Sequence, residues 1–323
     1  MNIVTFEKQH IEEAKAIAFV NYQQERSFVG TLPVIEQMPD LDWFAENGLG
    51  VAALDEGELV GFLCCVGPFD NAFGSQVKGT FSPIHAHGAL TEDRELIYRK
   101  MYQAAAEKWV AQGILYHTIG LYAHDAQAIG ALFWYGFGLR CVDAIRTMSR
   151  IHCSPMSDYT FRLLPNEEIA AIRQMRVQLS VHLAESPCFM YSEPRAVDIW
   201  IAKAETRNTQ VFVAERDGAA VAFIEVGEDG ENFITETADM KNICGAFCLP
   251  QFRGTGLFAN LLNFTLEQLR KEEVSRLGVD YESINPTASG AWGKYFTPYT
   301  HSVVRRIDEY ALARFEQKER REI

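Results

Sequence analysis

The chain has 323 residues, enough for about two domains of ordinary size. Its hydrophobic content of 48% and charged content of 23% are typical of a globular protein with buried cores. The formal net charge of −13 disfavours partners such as nucleic acid or an anionic membrane surface.

The seven cysteines are scattered along the sequence and form no Cys-x-x-Cys pair. This pattern disfavours a disulfide framework and a zinc site. No apolar run approaches the ~18 residues that a membrane span needs, and the sequence does not open on a secretory leader pattern. We therefore expect a cytoplasmic protein with reduced thiols and no membrane partner, for which a homodimer is an option.

In the first half, short strand patterns alternate with amphipathic helical patterns. Helices are predicted for residues 10–25, 92–112 and 125–135. Strands are predicted for residues 3–6, 51–54, 59–66, 77–82, 117–122 and 139–150, and residues 51–66 read as a hairpin.

The second half repeats this order. Strands are predicted for residues 159–163, 211–215, 220–226, 242–248, 276–283 and 302–308. Helices are predicted for residues 166–183, 195–204, 257–269 and 286–292, the first with Asn166 as its N-cap. Because one order occurs twice, we predict a duplicated domain, with domains at residues 1–153 and 158–310 and a charged tail at 311–323.

A glycine-rich turn connects the predicted strand 242–248 to the long helix after it. Pro250 ends the strand, and Gly254 and Gly256 let the backbone turn tightly. Free backbone N–H groups and the dipole of the following helix would make this turn an anion site, and Arg253 could add a charge. The pattern predicts a site for a phosphorylated ligand.

Two common phosphate-binding motifs fit this turn poorly. A P-loop needs a lysine after its glycines, and none follows here. A dinucleotide fingerprint is permitted by Gly254, Gly256 and Ala259, but it needs further strand–helix units for which too few residues remain.

Gln251-Phe-Arg-Gly-Thr-Gly256 instead resembles motif A of the GNAT-type N-acetyltransferases, which holds the pyrophosphate of acetyl-CoA. The resemblance implies an α/β fold with a mixed sheet: two acyl-CoA N-acyltransferase (GNAT) domains in tandem, the second with an intact motif A. It implies acetyl-CoA as co-substrate and no metal. The implied cofactor-binding residues are Phe247, Cys248, Leu249, Gln251, Phe252, Arg253, Gly254, Thr255, Gly256, Leu257, Asn285 and Trp292.

A second family signature is similar to residues 285–296. In the family its asparagine contacts the pantetheine arm, which implies this role for Asn285. The family's tyrosine, which protonates the leaving thiolate, is replaced by Trp292, which has no such acidic hydrogen. Tyr295 could substitute for it, or could pack against the sheet.

The first half departs further from the family pattern. Around residues 82–90, Gly88 matches the first glycine of motif A, but Leu90 stands in place of the second. We expect this half to be a degenerate GNAT-like domain that forms a cleft or an interface. His85 and His87 alone, without a nearby carboxylate partner, are a weak metal pattern.

Acetyl transfer needs a base that makes the acceptor amine neutral, and donors that hold the thioester oxygen. Backbone N–H groups at residues 247–249 are the candidate donors. The candidate catalytic residues are Glu282 and Asp239, or Glu236, as bases and Tyr295 as acid. Alternation along the strand places Tyr281 and Ser283 opposite Glu282, and it leaves open which face is turned to the cleft.

Two classes of function remain open from the sequence. The first is an N-acetyltransferase that uses acetyl-CoA and a primary amine of a small molecule or a peptide. The alternative is a non-catalytic CoA-binding or regulatory protein, which the loss of the tyrosine favours. A dinucleotide enzyme is a weaker third class.

Overall fold

The computed structural model describes residues 1–193, 195–204, 209–228 and 230–315. The chain divides into two compact units. Unit 1 contains Met1–Val142 and the described part of Tyr299–Ile323, and unit 2 contains Asp143–Pro298.

Unit 1 contains short strands and four helices within its described residues. The strands are β1 (Asn2–Thr5), β2 (Val51–Asp55), β3 (Glu58–Leu63), β4 (Val66–Phe69), β5 (Lys78–Ser82), β6 (His87–Ala89), β7 (Ile114–Tyr122), the start of β8 (Gly138–Thr147) and most of β14 (Thr297–Arg306). The helices are α1 (Ile11–Phe28), α2 (Asp42–Glu46), α3 (Arg94–Ala111) and α4 (Ala126–Phe133).

The strands of unit 1 lie in two groups, ordered β1-β2-β3-β6 and β4-β5-β7-β14. The pairing of β5 with β7 is parallel, and the other pairings with a defined register in this unit are antiparallel. Helix α3 buries Tyr98, Met101, Tyr102 and Trp109 among these strands. Because these large side chains lie on one helix face, they anchor the core of the unit.

Unit 2 repeats the succession of unit 1. Its strands are the end of β8, β9 (Thr160–Leu164), β10 (Gln210–Arg216), β11 (Ala219–Gly227), β12 (Met240–Cys248) and β13 (Arg276–Glu282). Its helices are α5 (Arg173–Ala184), α6 (Arg195–Ala204), α7 (Leu257–Arg270) and α8 (Pro286–Trp292). Strands β9 to β13 are neighbours in chain order, with β12 and β13 parallel and the others antiparallel.

The sheet of unit 2 has a core on each face. Helix α7 packs through Leu257, Leu261 and Leu266 on one face, where Val279 of β13 also points. Helices α5 and α6 pack through Met175 and Trp200 on the other face. Alternation along β13 therefore turns Asp280 and Glu282 toward the α5 side.

The units differ in extent from the domains predicted at 1–153 and 158–310. The division falls between Val142 and Asp143, and the chain from Tyr299 onward belongs to unit 1. The reason is strand pairing: β14 is antiparallel to β7, with Thr300 opposite Tyr122 and Arg306 opposite Tyr116.

Local predictions hold for most helices and strands, with three corrections. Asn166 is not an N-cap, because Pro165 precedes a 3₁₀ turn (Asn166–Ile172) that leads into α5. Gly88 lies inside β6, paired with Phe62, and therefore not in a motif A turn. In the predicted tail, Glu309–Leu312 is a 3₁₀ turn, and residues 316–323 lie outside the described residues.

Candidate functional site

The glycine turn between β12 and α7 has an unusual backbone. Gly254 and Gly256 have φ values of +75° and +91°, in the left-handed region that favours glycine. A Cβ atom added at either position would meet nothing within 4 Å. The space above both glycines is therefore open to a ligand, as the sequence predicted for an anion site.

Several amides of this turn are free to donate. Phe252 and Arg253 donate to Leu249 and Pro250, but the N–H groups of Gly254, Thr255 and Gly256 meet no acceptor among the described residues. Gly256 caps α7, so the first-turn amides lack partners within the helix as well. Free N–H groups and the positive end of the helix dipole together suit a diphosphate.

Strands β12 and β13 separate beside this turn. Their parallel pairing runs from Met240 opposite Arg276 to Ile243 opposite Val279, and both strands continue beyond it. The register against β11 shifts between Ile243 and Gly245, so Cys244 is the extra residue of a β-bulge. Beyond Ile243 and Val279 the two strands are no longer paired with each other, which leaves a gap between them that begins at the bulge.

The amide of Cys248 points into this gap. The Leu249 N–H donates to Val221 O at 3.0 Å, so it belongs to the ladder with β11. Alternation in an antiparallel ladder then directs the Phe247 N–H toward β11 and the Cys248 N–H away from it. Of the donors predicted at 247–249, Cys248 is thus the one that is available for an oxyanion.

A cleft of about 510 Å³ runs from the glycine turn into this gap. Helix α5 contributes Leu179 and His182 to its wall, and β12 contributes Ala246, Phe247 and Cys248. The turn and α7 contribute Arg253, Gly254, Gly256, Phe258 and Ala259, and the opposite wall consists of Asn285, Thr287, Ala288, Gly290, Ala291, Trp292, Lys294 and Tyr295.

The residues of α8 are fixed by local contacts. The Asn285 side chain accepts from Thr287 N and Ala288 N and so caps the helix, while His182 Nε2 lies 3.3 Å from the same oxygen. Trp292 is buried and packs edge-on against Phe258 at 5.3 Å. Tyr295 lines the cleft with its ring partly buried.

Five predicted cofactor-binding residues do not line the cleft. Leu257 is fully buried, and Leu249 and Phe252 pack against the core. Gln251 and Thr255 are exposed on the outer side of the turn. The cleft instead includes Leu179 and His182, which lie some seventy residues earlier in the sequence, where no motif signals them.

A carboxyl group lies on the α5 side of the gap. Asp280 directly follows Val279, the last residue of β13 that is paired with β12. Its carboxyl is accessible to solvent but closely surrounded by protein atoms, and this desolvation, with the charges of Glu231 and Asp143, raises its pKa to about 7. Asp280 also acts on the thiol of Cys244, two residues along β12 from Ala246. A carboxyl that titrates near neutrality suits a general base.

The predicted bases are placed less favourably. Glu282 shares the face of Asp280, and neither residue lines the cleft; Glu282 lies two residues further from the end of the β12–β13 pairing, and its charge contributes to the raised pKa of Asp280. Asp239 precedes β12 at the end far from the cleft, about 26 Å from Phe247 along the strand. Asp239 is bound to Ser275 and Arg276, and these contacts lower its pKa. The structure therefore corrects the assignment of Asp239 as a base.

Glu236, the other candidate on that side, belongs to the 3₁₀ turn (Phe233–Glu236) before β12 and does not line the cleft either.

The α5 side of the gap also contains a buried ion pair. Glu225 is bound by Arg176 of α5 and accepts from Trp200 Nε1 at 3.0 Å. The Arg176 guanidinium stacks on the Trp200 ring at 3.7 Å. A Cβ at Gly245 would lie 2.8 Å from the Glu225 carboxylate, so the Arg176–Glu225 ion pair packs directly against the backbone of β12.

The corresponding place in unit 1 is closed. Seven residues separate Leu249 from α7, whereas only residues 91–93 separate Leu90 from α3. Glu92, Asp93 and Glu95 surround this shorter turn and would repel an anion. His87 fills the space between β6 and β7, with its ring nitrogens 2.8 Å from Tyr98 Oη and 2.5 Å from Gly120 O.

The described residues contain no group of three or more His, Cys, Asp or Glu side chains that could hold a metal ion. Within the same ranges, no helix is long and apolar enough to cross a membrane.

An open glycine turn at a helix N-terminus, beside a strand pair that separates, is the arrangement that the resemblance to the GNAT-type acetyltransferases implies. The sequence model of the acetyltransferase (GNAT) family matches residues 179–294, which include the turn and most of the cleft. Residues 179–294 therefore carry the sequence pattern of the GNAT acetyltransferase family, which implies an acyl-CoA donor.

One solved structure extends a likeness in fold to both halves. A GCN5-related N-acetyltransferase from Sphaerobacter thermophilus is 13% identical with a TM-score of 0.55, covering 94% of this chain and 95% of that chain. A GNAT-family acetyltransferase from Colwellia psychrerythraea is 13% identical with a TM-score of 0.46, covering 95% and 100%. Of these two, only the first exceeds a TM-score of 0.5, and at this identity it shows a shared fold. A search of curated proteins finds no match.

Proposed function

We propose that this protein transfers the acetyl group of acetyl-CoA to a primary amine of a small molecule or a peptide. The observation that supports this most directly is the open turn at Gly254 and Gly256, whose amides lack acceptors among the described residues. The turn opens into the cleft that reaches the gap between β12 and β13.

Different groups of unit 2 bind the cofactor, stabilise the oxyanion and accept the proton. Bound acetyl-CoA supplies a thioester whose carbonyl carbon is the electrophile. The turn and the N-terminus of α7 hold the diphosphate, and the Cys248 N–H donates to the carbonyl oxygen as it becomes negative. Asp280 accepts the proton of the amine, because an ammonium group has no electron pair for attack.

The charge around Asp280 favours a cationic acceptor. Asp143, Glu231 and Glu282 all act on Asp280, and each favours a positive group in the gap. An amine arrives as an ammonium ion at neutral pH, so these carboxylates attract it before Asp280 deprotonates it.

A panel of primary amines with acetyl-CoA tests this function. We expect thiol release, read with a thiol reagent, that depends on the amine and is accompanied by an acetylated product in the mass spectrum. A chain that binds acetyl-CoA but turns over no amine would instead be a CoA-binding or regulatory protein. Trp292, which cannot donate the proton that the family's tyrosine donates, is the feature that favours this second candidate.

A further inference from the structure

Arg176 of α5 uses only part of its guanidinium within the protein. Its Nη1 donates to Glu225, and its central carbon lies 3.7 Å from the centre of the Trp200 ring. The Nε and Nη2 atoms have no acceptor among the described residues, and the side chain keeps 17% of its surface exposed. One pair of donors is therefore held in place and left open to solvent.

The open pair is the edge of a guanidinium that matches a carboxylate. Nε–H and one N–H of Nη2 point the same way, so together they can bind the two oxygens of one carboxylate. Glu225 accepts from Arg176 Nη1 and from Trp200 Nε1, so it fixes the guanidinium without occupying this edge. The Arg176 side chain is thus oriented to receive a second carboxylate, from a ligand.

Arg176 lies on the side of the sheet where the proposed base is. It precedes Leu179, which lines the cleft, by three residues, so the two are neighbours on one face of α5. Its Nη1 would lie 3.1 Å from a Cβ at Gly245, two residues beyond Ile243, where the pairing of β12 with β13 ends. Asp280 is the first residue of β13 beyond this pairing. Because adjacent strands lie about 5 Å apart, the guanidinium and the Asp280 carboxyl lie within about 10 Å of each other at the start of the gap.

The charges around the gap suit a ligand that carries both signs. Asp143, Glu231 and Glu282 all act on Asp280, and they would repel an anion that had no cationic group. An amine without a carboxylate would leave the open edge of Arg176 bound only to water. A zwitterion satisfies both, since its ammonium group is attracted to the carboxylates and its carboxylate binds the guanidinium. A phosphate suits this place less well, because the same residues would repel its second negative charge.

We propose that the acceptor is a free amino acid, whose carboxylate is bound by the Nε and Nη2 donors of Arg176 while its amine lies beside Asp280. This inference rests on the proposed acetyl transfer, and it narrows the acceptor from primary amines in general to those that carry a carboxylate. Arg176 determines this specificity, and Trp200 and Glu225 fix its orientation.

A comparison of amino acids with their amides tests the inference in the unaltered protein. The panel contains α-amino acids and ω-amino acids of increasing length, each beside the amide that replaces its carboxylate. We expect kcat/KM for a productive amino acid to be about tenfold or more above that for its amide, because the amide loses a charge-assisted bidentate pair. A carboxylate raises the pKa of a nearby amine, so the fraction of free amine alone would favour the amide. Amides that are acetylated as well as the acids, or amines that turn over when no amino acid does, would overturn the proposal.

Arg176→Lys removes the bidentate edge but keeps a cation for Glu225. We expect it to raise KM for the amino acid about tenfold or more, to abolish the preference over the amide and to leave KM for acetyl-CoA unchanged. Arg173→Lys is the matched control on the same helix, because Arg173 Nε and Nη2 already bind Asp198 at 2.8 and 2.6 Å. It should keep the preference. Circular dichroism confirms that both variants are folded, and a folded Arg176→Lys that retains the full preference would contradict the assignment.

Calorimetric titration of each amino acid of the panel into the CoA-bound protein separates the inference from the proposed function. Binding that Arg176→Lys weakens about tenfold, without an acetylated product from any acceptor, would support the recognition and overturn the acetyl transfer. Acetylation of simple amines with no preference for a carboxylate would support the transfer and overturn the inference.

Discussion

Asp280 and Glu282 lie two residues apart on the same face of β13, yet their surroundings differ. Asp280 follows the last residue that pairs with β12, so it sits where the strands begin to separate. Desolvation and its acidic neighbours raise its pKa to about 7, whereas Glu282 lies two residues further along β13. A base placed at the opening can reach an amine that attacks within the gap.

We expect Asp280→Asn to lower kcat/KM for the amine by about 100-fold or more, the usual contribution of a general base. Because the carboxylate form is active, the rate, expressed per free amine, should rise as pH increases through about 7 in the parent protein. The variant should lose this rise. Steady-state kinetics between pH 6 and 9 provide the measurement.

Glu282→Gln is the matched control for this variant. The Glu282 charge is one of the causes that raise the pKa of Asp280, so its removal should move the rise to lower pH and leave the maximal rate nearly unchanged. A larger loss of activity in Glu282→Gln than in Asp280→Asn would reverse the assignment of the base.

The sequence predicts individual site residues only where the chemistry is local. Gly254 and Gly256 could be found because a turn of this kind needs glycine at two positions within one short segment of the sequence. Asp280 could not be chosen over Glu282, since both lie on one face of β13 and the sequence does not show where β13 stops pairing with β12. His182 reaches Asn285 across 103 residues, a contact that no short pattern contains.

At the scale of elements, the two units differ most in one connection. The turn before α7 has seven residues and leaves its amides open, whereas the three residues 91–93 before α3 are too few to surround a diphosphate. In unit 1, His87 occupies the space between β6 and β7 and forms a hydrogen bond with Gly120 O. Helices, hairpins and the glycine turn were predictable from periodicity. Strand β6 was not, because three residues between breaks give no alternation.

The buried histidines of unit 1 should make its stability depend on pH. Burial lowers the pKa of His85, His87 and His117 to about 4. The unfolded chain, with histidine pKa values near 6.5, binds protons first as pH falls. Stability is therefore full above about pH 6.5 and is lost toward pH 4, by roughly 2 kcal/mol per histidine at pH 5.

Urea denaturation at pH 7 and pH 5, followed by tryptophan fluorescence, measures this loss. His87→Gln removes one titrating group while its amide can still reach Tyr98 and Gly120, so its stability should decline less between the two pH values. An equal decline in the variant and the parent would show that His87 does not contribute to the pH dependence.

For the whole molecule, the two units have the same succession of elements but differ in whether they can bind a diphosphate. Unit 2 has an open glycine turn, whereas unit 1 has a short acidic turn and His87 in the space between β6 and β7. The repeat was predictable because each half shows the same order of patterns. The assignment of the chain from Tyr299 onward to unit 1 was not predictable, since β14 pairs with β7, whose residues lie 178 to 190 positions earlier in the sequence.

The account depends most on the glycine turn, and calorimetric titration with acetyl-CoA tests it directly. We expect one molecule bound per chain, and a loss of affinity of about 100-fold or more in Gly256→Glu, because the added carboxylate enters the space of the diphosphate. Gly218→Glu is the matched control, since Gly218 also has a positive φ of 77° and open space but lies in the β10–β11 hairpin. Equal binding by both variants, or two molecules bound per chain, would contradict the account.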